Sequence, residues 1–211
     1  MKETLNSKKG LLVWGGLLGA VAVWLAIMGN PGNMAFCIAC FIRDIAGAAK
    51  LHTAPIVQYM RPEIAGLIAG AFIISMATGE YRSTAGSSPM IRFLLGLITM
   101  IGALVFLGCP LRMVIRMAAG DLNAYMGLIG FVLGVGTGCI FLKKGFSLGR
   151  SFDTKKENGY IIPAIFLSLL VLSIATPLFA ASTEGPGSLH APILVSLAAG
   201  LIFGAAAQKA R

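Results

Sequence analysis

Long apolar runs are the feature that most limits the folds open to this chain. A helix needs about 20 predominantly apolar residues to cross a bilayer, and six runs approach that length: residues 11–28, 64–78, 93–107, 124–142, 160–181 and 191–207. The chain is 57% apolar and 12% charged, and its mean hydropathy is +0.85. These values are typical of a membrane protein. We therefore predict an all-α membrane protein with about six transmembrane helices and no large soluble catalytic domain.

The first apolar run is predicted to be a retained anchor. Its apolar stretch, residues 11–28, is long, and no small-x-small cleavage site follows it. A secretory signal peptide would show the opposite pattern. The second and third runs, residues 64–78 and 93–107, are short for membrane spans.

Lysine and arginine in short loops predict the orientation of the chain. With six crossings, the basic residues near the start, around residues 82–92, in the loop 143–156 and near the end all fall on one side. This pattern predicts a multi-pass protein of the cytoplasmic (inner) membrane with both termini cytoplasmic. Five basic residues break the rule, because they would lie on the outer side or within the membrane: Arg43, Lys50, Arg61, Arg112 and Arg116.

Two short segments, residues 33–44 and 108–121, place cysteine beside arginine between apolar runs. A charge near the bilayer centre costs roughly 3 kcal/mol on insertion scales, so such residues normally line a cavity or a path. The predicted substrate path consists of Cys37, Cys40, Arg43, Cys109, Arg112 and Arg116, supported by Asn33, Asp44, Pro110 and Asp121. The two segments therefore predict a protein that binds or moves an anion.

Glycine and proline in these segments predict two broken or re-entrant cysteine-bearing helices. Residues 29–33 read Gly-Asn-Pro-Gly-Asn, and Pro110 follows Cys109 directly. Backbone groups freed at such breaks belong inside the protein or beside water, because lipid cannot satisfy them. We expect a first short helix over residues 34–42, whose N-terminus would favour an anion.

The cysteines and arginines of the two segments have distinct expected roles. Arginine carries a fixed charge and a planar fork that matches oxyanions; its alternatives are an ion pair with Asp44 or Asp121, or snorkelling toward the headgroups. Cys40 lies three residues after Cys37, so it either lines the same path or forms a redox pair with Cys37. Cys139, in a glycine-rich run, is expected to serve packing.

Other functional classes find little support in the sequence. A structural zinc site takes four ligands, and beyond the Cys-x-x-Cys pair the chain has only His52 and His190 to complete one. We therefore predict no metal, no cofactor and a loop or span-end position for both histidines. No phosphate-binding loop or nucleophile elbow is present, and orientation explains the basic loops. We expect neither an enzyme nor a nucleic-acid-binding protein.

The strings at residues 29–44 and 108–112 resemble the YeeE/YedE family of sulfur and thiosulfate transporters, particularly its YedE-type selenium-transport branch. The resemblance implies a pseudo-symmetric helical fold with non-spanning segments. It also implies that motif cysteines, here Cys37 and Cys109, mark a narrow path for an ion such as thiosulfate. Family members are commonly longer and carry a second half with its own cysteine motif.

The resulting domain prediction has three parts. Residues 1–142 form a four-span repeat with both Cys-Arg motifs, residues 143–159 a cytoplasmic linker, and residues 160–211 two further spans that open an incomplete second repeat. We expect half of an inverted-repeat transporter, a common transporter plan. The chain would then be truncated, one member of a split pair, or a protein that dimerises.

Small residues hint at how the helices meet. Residues 189–204 weakly echo residues 51–70. Glycines spaced four apart would let helices approach closely, either between chains or within one; they are Gly66 and Gly70, and Gly130, Gly134 and Gly138.

Three functions remain open from the sequence. The leading one is uptake of an inorganic sulfur or selenium anion such as thiosulfate, with the lipid bilayer as environment and a second half-transporter chain or a second copy as partner. One alternative is a six-span thiol–disulfide electron carrier of the cytochrome-biogenesis type. The other is a nontransporting subunit of a split transporter.

Overall fold

The computed structural model describes residues 8–86, 88–147 and 149–209 as a predominantly helical chain. Its helices are α1 (Lys8–Ile27), α2 (Ile38–Ala48), α3 (Pro62–Ala77), α4 (Pro89–Phe106), α5 (Pro110–Ala118), α6 (Leu122–Lys143), α7 (Ile161–Ala175) and α8 (Ile193–Lys209). Two short strands, β1 (Thr84–Ala85) and β2 (Phe152–Asp153), and 3-10 turns at Lys156–Tyr160 and Gly185–Gly187 lie between them. The predicted helical class is confirmed.

Three helical stretches among the described residues are long and apolar enough to cross a membrane. They are Pro89–Ala118, Leu122–Lys143 and Lys156–Ala175. The other predicted spans correspond to shorter apolar helices, Leu12–Ile27, Pro62–Ala77 and Ile193–Lys209. The molecule thus has the helices of a membrane-embedded protein, while six crossings and their orientation stay predictions.

Proline and backbone geometry explain where the helices differ from the predicted bounds. α4 begins at Pro89, before the predicted residue 93, because proline suits the first helical position. α7 ends at Ala175 rather than at residue 181, since Pro177 cannot continue a helix and disfavours helical geometry in the residue before it. The predicted helix over residues 34–42 is wrong in its bounds: it begins at Ile38 and ends at Ala48.

The late start of α2 has a local cause in the loop before it. Ala35 has a φ of +39°, outside the right-handed helical region. The chain therefore cannot enter a helix at residue 34. It turns through residues 34–37 and begins the helix after Cys37.

Helices α3 and α8 cross through their glycines. A Cβ atom at Gly66 or Gly70 would collide with the backbone of α8, and a Cβ at Gly200 or Gly204 would collide with the backbone of α3. Small residues at a crossing let two backbones meet. The close approach expected for Gly66 and Gly70 therefore occurs within the chain.

The glycines of α6 behave differently. Gly130, Gly134 and Gly138 have no described atom within 4 Å of an added Cβ. They face open space in this structure. The close helix approach that their spacing suggested is not made within the described part of the chain.

The buried core lies around α2, α3 and α8. Phe36, in the turn before α2, stacks on Phe203 of α8 with ring centroids 3.9 Å apart and meets Phe41 of α2 edge-on. Leu25 at the end of α1 is fully buried in the same cluster. This core fixes the turn that carries Cys37.

Loops pair at both ends of α3. Beyond its C-terminus, β1 pairs antiparallel with β2, so the predicted linker at residues 143–159 lies against the loop that carries Arg82. Before its N-terminus, the loops 52–60 and 182–190 join: the amide of Ser182 donates to Gln58 O at 2.8 Å, and the amide of Gly187 donates to Ile56 O at 2.8 Å. The second pair of loops lies against Arg61, which donates to the carbonyl oxygens of Leu189 and Pro186.

Candidate functional site

Both short cysteine helices begin directly after a cysteine. Cys37 is the residue before α2, in extended conformation, and Cys109 holds the same place before α5, where Pro110 takes the first turn. Helix N-termini leave backbone N–H groups without intrahelical partners and carry partial positive charge. Each thiol is therefore set at a positive helix end.

Three of the four cysteines come together. The Sγ of Cys37 lies 3.0 Å from the Sγ of Cys40, and the Cys109 side chain lies beside Cys37. The backbone N–H groups of Ile38 and Leu111 face the Cys109 sulfur. All three cysteines are buried and unbridged, so they form one sulfur cluster between α2 and α5.

Arg112 joins this sulfur cluster. Its Nη1 donates to the Sγ of Cys40 at 3.2 Å, and its Nε donates to the carbonyl oxygen of Asn33 at 3.0 Å. Its side chain packs over Gly108, where an added Cβ would lie 2.7 Å from the arginine Cδ. In the described part of the chain no carboxylate pairs with Arg112. The positive charge that this arginine brings to the sulfurs is therefore not neutralised by an ion pair.

Arg43 is held by Asp44 rather than by the sulfurs. The fully buried Asp44 accepts from Arg43 Nη2 at 2.7 Å and, through its other oxygen, from Arg61 Nε at 2.9 Å. His52 Nε2 lies 3.0 Å from the Arg43 carbonyl oxygen. Asp44 thus orients two arginines at the same time.

Arg61 is a structural residue to which the sequence assigned no role. It is 1% exposed, and it donates to the carbonyl oxygens of Leu189 at 3.0 Å and Pro186 at 2.8 Å. Its guanidinium also lies 4.9 Å from the centroid of the Phe41 ring. It therefore ties α2 to the loop before α8. Its position as a basic residue on the predicted outer side was the available signal.

Arg116 and Asp121 form a second ion pair, at the break between α5 and α6. Arg116 Nε donates to Asp121 Oδ2 at 2.7 Å, and its Nη1 donates to the Phe106 carbonyl oxygen at 2.7 Å. Asp121 also caps α6 by accepting from the amide of Asn123 at 2.9 Å. These hydrogen bonds, that from Arg116 first, hold the pKa of Asp121 below its usual range.

A cleft of about 300 Å³ connects the second segment to the first. It is lined by Gly32, Asn33, Ile115, Arg116, Ala119 and Asp121. Since Arg112 bonds to the backbone of Asn33, this cleft lies next to the arginine that contacts the sulfur cluster.

A buried polar group centred on Glu63 was missed by the sequence reasoning. The Oε1 atom of Glu63 accepts from Asn30 Nδ2 at 2.8 Å and from Ser196 Oγ at 3.0 Å. Asn30 also donates to Ala35 O at 3.2 Å and accepts from the amide of Ala191 at 2.9 Å. The signal that could have found it is an acidic residue opening an apolar run.

The remaining candidates lie apart from the sulfur cluster. Cys139 is exposed on α6, and His190 stacks on Tyr59 with ring centroids 4.2 Å apart. No group of three or more His, Cys, Asp and Glu residues in the ranges 8–86, 88–147 and 149–209 is arranged to hold a metal ion.

The sulfur cluster has the chemistry either to contact a small anion or to undergo thiol oxidation. Helix N-termini and Arg112 attract negative charge, while paired thiols can be oxidised to a disulfide. Comparison of the chain with protein-family models, with curated proteins and with solved structures finds no match.

Proposed function

We propose that this chain takes up a small inorganic anion of sulfur or selenium, such as thiosulfate, across the cytoplasmic membrane. The observation that carries the proposal is the meeting of three buried thiols, two helix N-termini and the unneutralised Arg112. The resemblance of residues 29–44 and 108–112 to the YeeE/YedE transporters points the same way.

The charge balance around the sulfur cluster favours an anion. Arg112 contacts Cys40, Arg43 lies near enough to act electrostatically on the same thiol, and Asp44, the carboxylate that pairs with Arg43, also pairs with Arg61. Positive charge therefore exceeds negative charge in a buried region, where electrostatic attraction is stronger than in water. The fork of Arg112 suits an oxyanion.

The thiols supply weak contacts that let the ion leave again. A thiol is a weak hydrogen-bond donor and a polarisable group. Conduction requires binding that is favourable enough for entry and weak enough for exit. In this proposal Arg112 raises the local concentration of the anion, and Cys37, Cys40 and Cys109 pass it along by exchangeable contacts.

The cleft beside Asn33 and Arg116 supplies the approach to the sulfurs. Arg116 is held by Asp121 and by the Phe106 carbonyl oxygen, so its expected role becomes shaping this approach. Arg43 likewise contributes charge near the sulfur cluster without contacting the anion, because Asp44 holds its guanidinium. The half-transporter organisation, completed by a second copy or a separate chain, belongs to the same proposal.

The alternative of a thiol–disulfide electron carrier is favoured by one observation. The Sγ atoms of Cys37 and Cys40 lie 3.0 Å apart. The two thiols could therefore form a disulfide by passing two electrons and two protons to the disulfide of a partner protein, which becomes a dithiol. Trapping a mixed disulfide between Cys37 or Cys40 and a thioredoxin-like protein would support this alternative. Arg112 has no necessary part in that exchange.

Uptake of labelled thiosulfate and of selenium analogues tests the transport proposal. Cells that express Cys37→Ala or Cys109→Ala should lose uptake while retaining the protein in the membrane. Cys139→Ala is the matched control, because its thiol is exposed on α6, and it should transport normally. Uptake that is unchanged in the first two variants would refute the path assignment. Measurements with and without any adjacent gene product test the split-transporter arrangement.

A further inference from the structure

Glu63 is a buried acid with an uneven set of hydrogen bonds. It lies in the first turn of α3 and is 0% exposed. Its Oε1 accepts two hydrogen bonds, from Asn30 and Ser196. Its Oε2 is the buried side-chain nitrogen or oxygen atom without a partner in the described residues.

This asymmetry matches a neutral carboxylic acid. The carbonyl oxygen of the acid form accepts two hydrogen bonds, and the other oxygen carries the proton. An ionised carboxylate would spread charge over both oxygens and leave Oε2 without a hydrogen-bond donor among the described residues. Burial of an unpaired charge is far more costly than burial of an unpaired hydroxyl.

The surrounding charges do not neutralise Glu63. Arg61, two residues before it, gives its hydrogen bonds to Asp44, Leu189 and Pro186. Around it, α2 contributes Arg43 and Asp44, which pair with each other, and the adjoining loops contribute Tyr59 and His190, which stack together. The face of α8 against α3 presents Ser196, Ala199 and Gly200, and α7 carries no charged side chain.

We propose that Glu63 is a proton-binding site that releases and rebinds its proton during the working cycle of the protein. On release the O–H bond at Oε2 breaks, its electron pair stays on the oxygen, and the proton passes to water. The carboxylate then needs a hydrogen-bond donor at Oε2. The Asn30 amide, which already donates to Oε1, is a neighbouring group that could shift toward it.

Asn30 links this proton site to the sulfur cluster. Its Nδ2 bridges Glu63 Oε1 and the carbonyl oxygen of Ala35, two residues before Cys37. Its Oδ1 accepts from the amide of Ala191 at the start of α8. A change of charge on Glu63 therefore bears directly on the turn that places Cys37. The coupling of this proton to anion uptake rests on the proposed function, whereas the proton site itself does not.

Infrared difference spectroscopy of the purified full chain tests the proton site directly. The folded wild type should show the carbonyl band of a protonated carboxylic acid at neutral pH, shifted in D2O. Glu63→Gln should lack this band, while Glu157→Gln, at an exposed carboxylate, should keep it. Ser196→Ala keeps the test valid if Glu63→Gln fails to fold, because losing one donor to Oε1 should raise the band frequency. Absence of the band in the wild type, or its persistence in Glu63→Gln, overturns the proposal.

Proteoliposomes test the coupling separately. A proton gradient directed inward should stimulate thiosulfate uptake several-fold in the wild type, and Glu63→Gln should lose this stimulation. Equal stimulation in both proteins would overturn the coupling. Failure of the wild type to take up thiosulfate at all would count against the proposed function and overturn the coupling to it, and the infrared band would still decide the proton site.

Discussion

The two cysteine helices share a pattern and differ in their surroundings. α2 and α5 each begin after a cysteine, and each carries an arginine that pairs with an aspartate, Asp44 within α2 and Asp121 just beyond α5. In α2 seven residues are buried, among them Cys40 and Asp44, whereas in α5 Met113 alone is buried within the described helix. The α2 side is thus fixed in the core, and the α5 side is the accessible part of the site.

The aspartates show most clearly what this difference means. Asp44 is fully buried and holds the fully buried Arg61 as well as Arg43. Asp121, with a 31% exposed side chain, holds Arg116 and caps a helix. The same chemical pair therefore serves folding in the first segment and local shaping in the second. Mutations at matched positions should separate these two roles.

The largest effect is expected from Asp44→Asn. Removing one partner of a buried ion pair leaves an uncompensated charge and typically costs about 3–5 kcal/mol. The variant should therefore lose most of its stability in detergent, as measured by thermal or denaturant unfolding. Asp121→Asn is the matched change in the second segment, and it should unfold close to the wild type. Equal destabilisation by the two changes would contradict the distinction between a fixed and an accessible side.

Arg112→Ala should act on anion affinity with little effect on stability. A hydrogen bond to a charged group contributes about 1.5–3 kcal/mol, which corresponds to a loss of affinity of roughly tenfold to a hundredfold. Competition of unlabelled thiosulfate in the uptake assay measures this loss. Arg150→Ala, in the linker, is the control and should keep the wild-type affinity. A wild-type affinity in Arg112→Ala would show that this arginine does not bind the anion.

Oxidation should separate the α2 thiols from the α5 thiol. Because the Sγ atoms of Cys37 and Cys40 lie 3.0 Å apart, a mild dithiol oxidant should link them first, with loss of two hydrogens detected by peptide mass spectrometry. Cys109→Ala should still form this bridge. In the wild type, uptake should fall as the bridge forms. A bridge that forms first to Cys109 would reverse the predicted order.

The smallest effect is the pH dependence of the Asp121 cap. The pKa of Asp121 is lowered in the folded chain, so its contribution to stability is present above the ordinary aspartate pKa, about 3.9. This contribution is lost as the pH falls through the lowered folded-state pKa. Wild type and Asp121→Asn should therefore differ slightly in melting temperature at neutral pH and converge in acid. A difference that grows on acidification would have the wrong sign.

Local sequence signals predicted the helices and their breaks, whereas the contacts that surround the site join residues far apart in the sequence. Apolar runs, Pro110 and the glycine-rich break at residues 29–33 were sufficient to predict helices and two interrupted segments. The meeting of Arg61 with Leu189 and Pro186 spans more than 120 residues, so no local pattern reveals it. The hydrogen bond between Glu63 and Ser196 is equally distant.

Two further differences have a physical explanation. The start of α2 moved to Ile38 because Ala35 adopts a positive φ, which the identity of an alanine does not announce. The echo between residues 51–70 and 189–204 was visible in the sequence. That Gly66 and Gly70 pack against the backbone of α8, and Gly200 and Gly204 against the backbone of α3, depends on the path of the chain between them.

Binding of thiosulfate to the membrane-reconstituted chain would show whether α2 and α5 together form an anion site. Titration calorimetry would compare the wild type, the double variant Cys37→Ala/Cys109→Ala and the control Cys139→Ala. We predict saturable binding to the wild type and the control, and none to the double variant. Equal affinity in all three proteins would contradict the claim that the meeting of α2 and α5 forms the anion site.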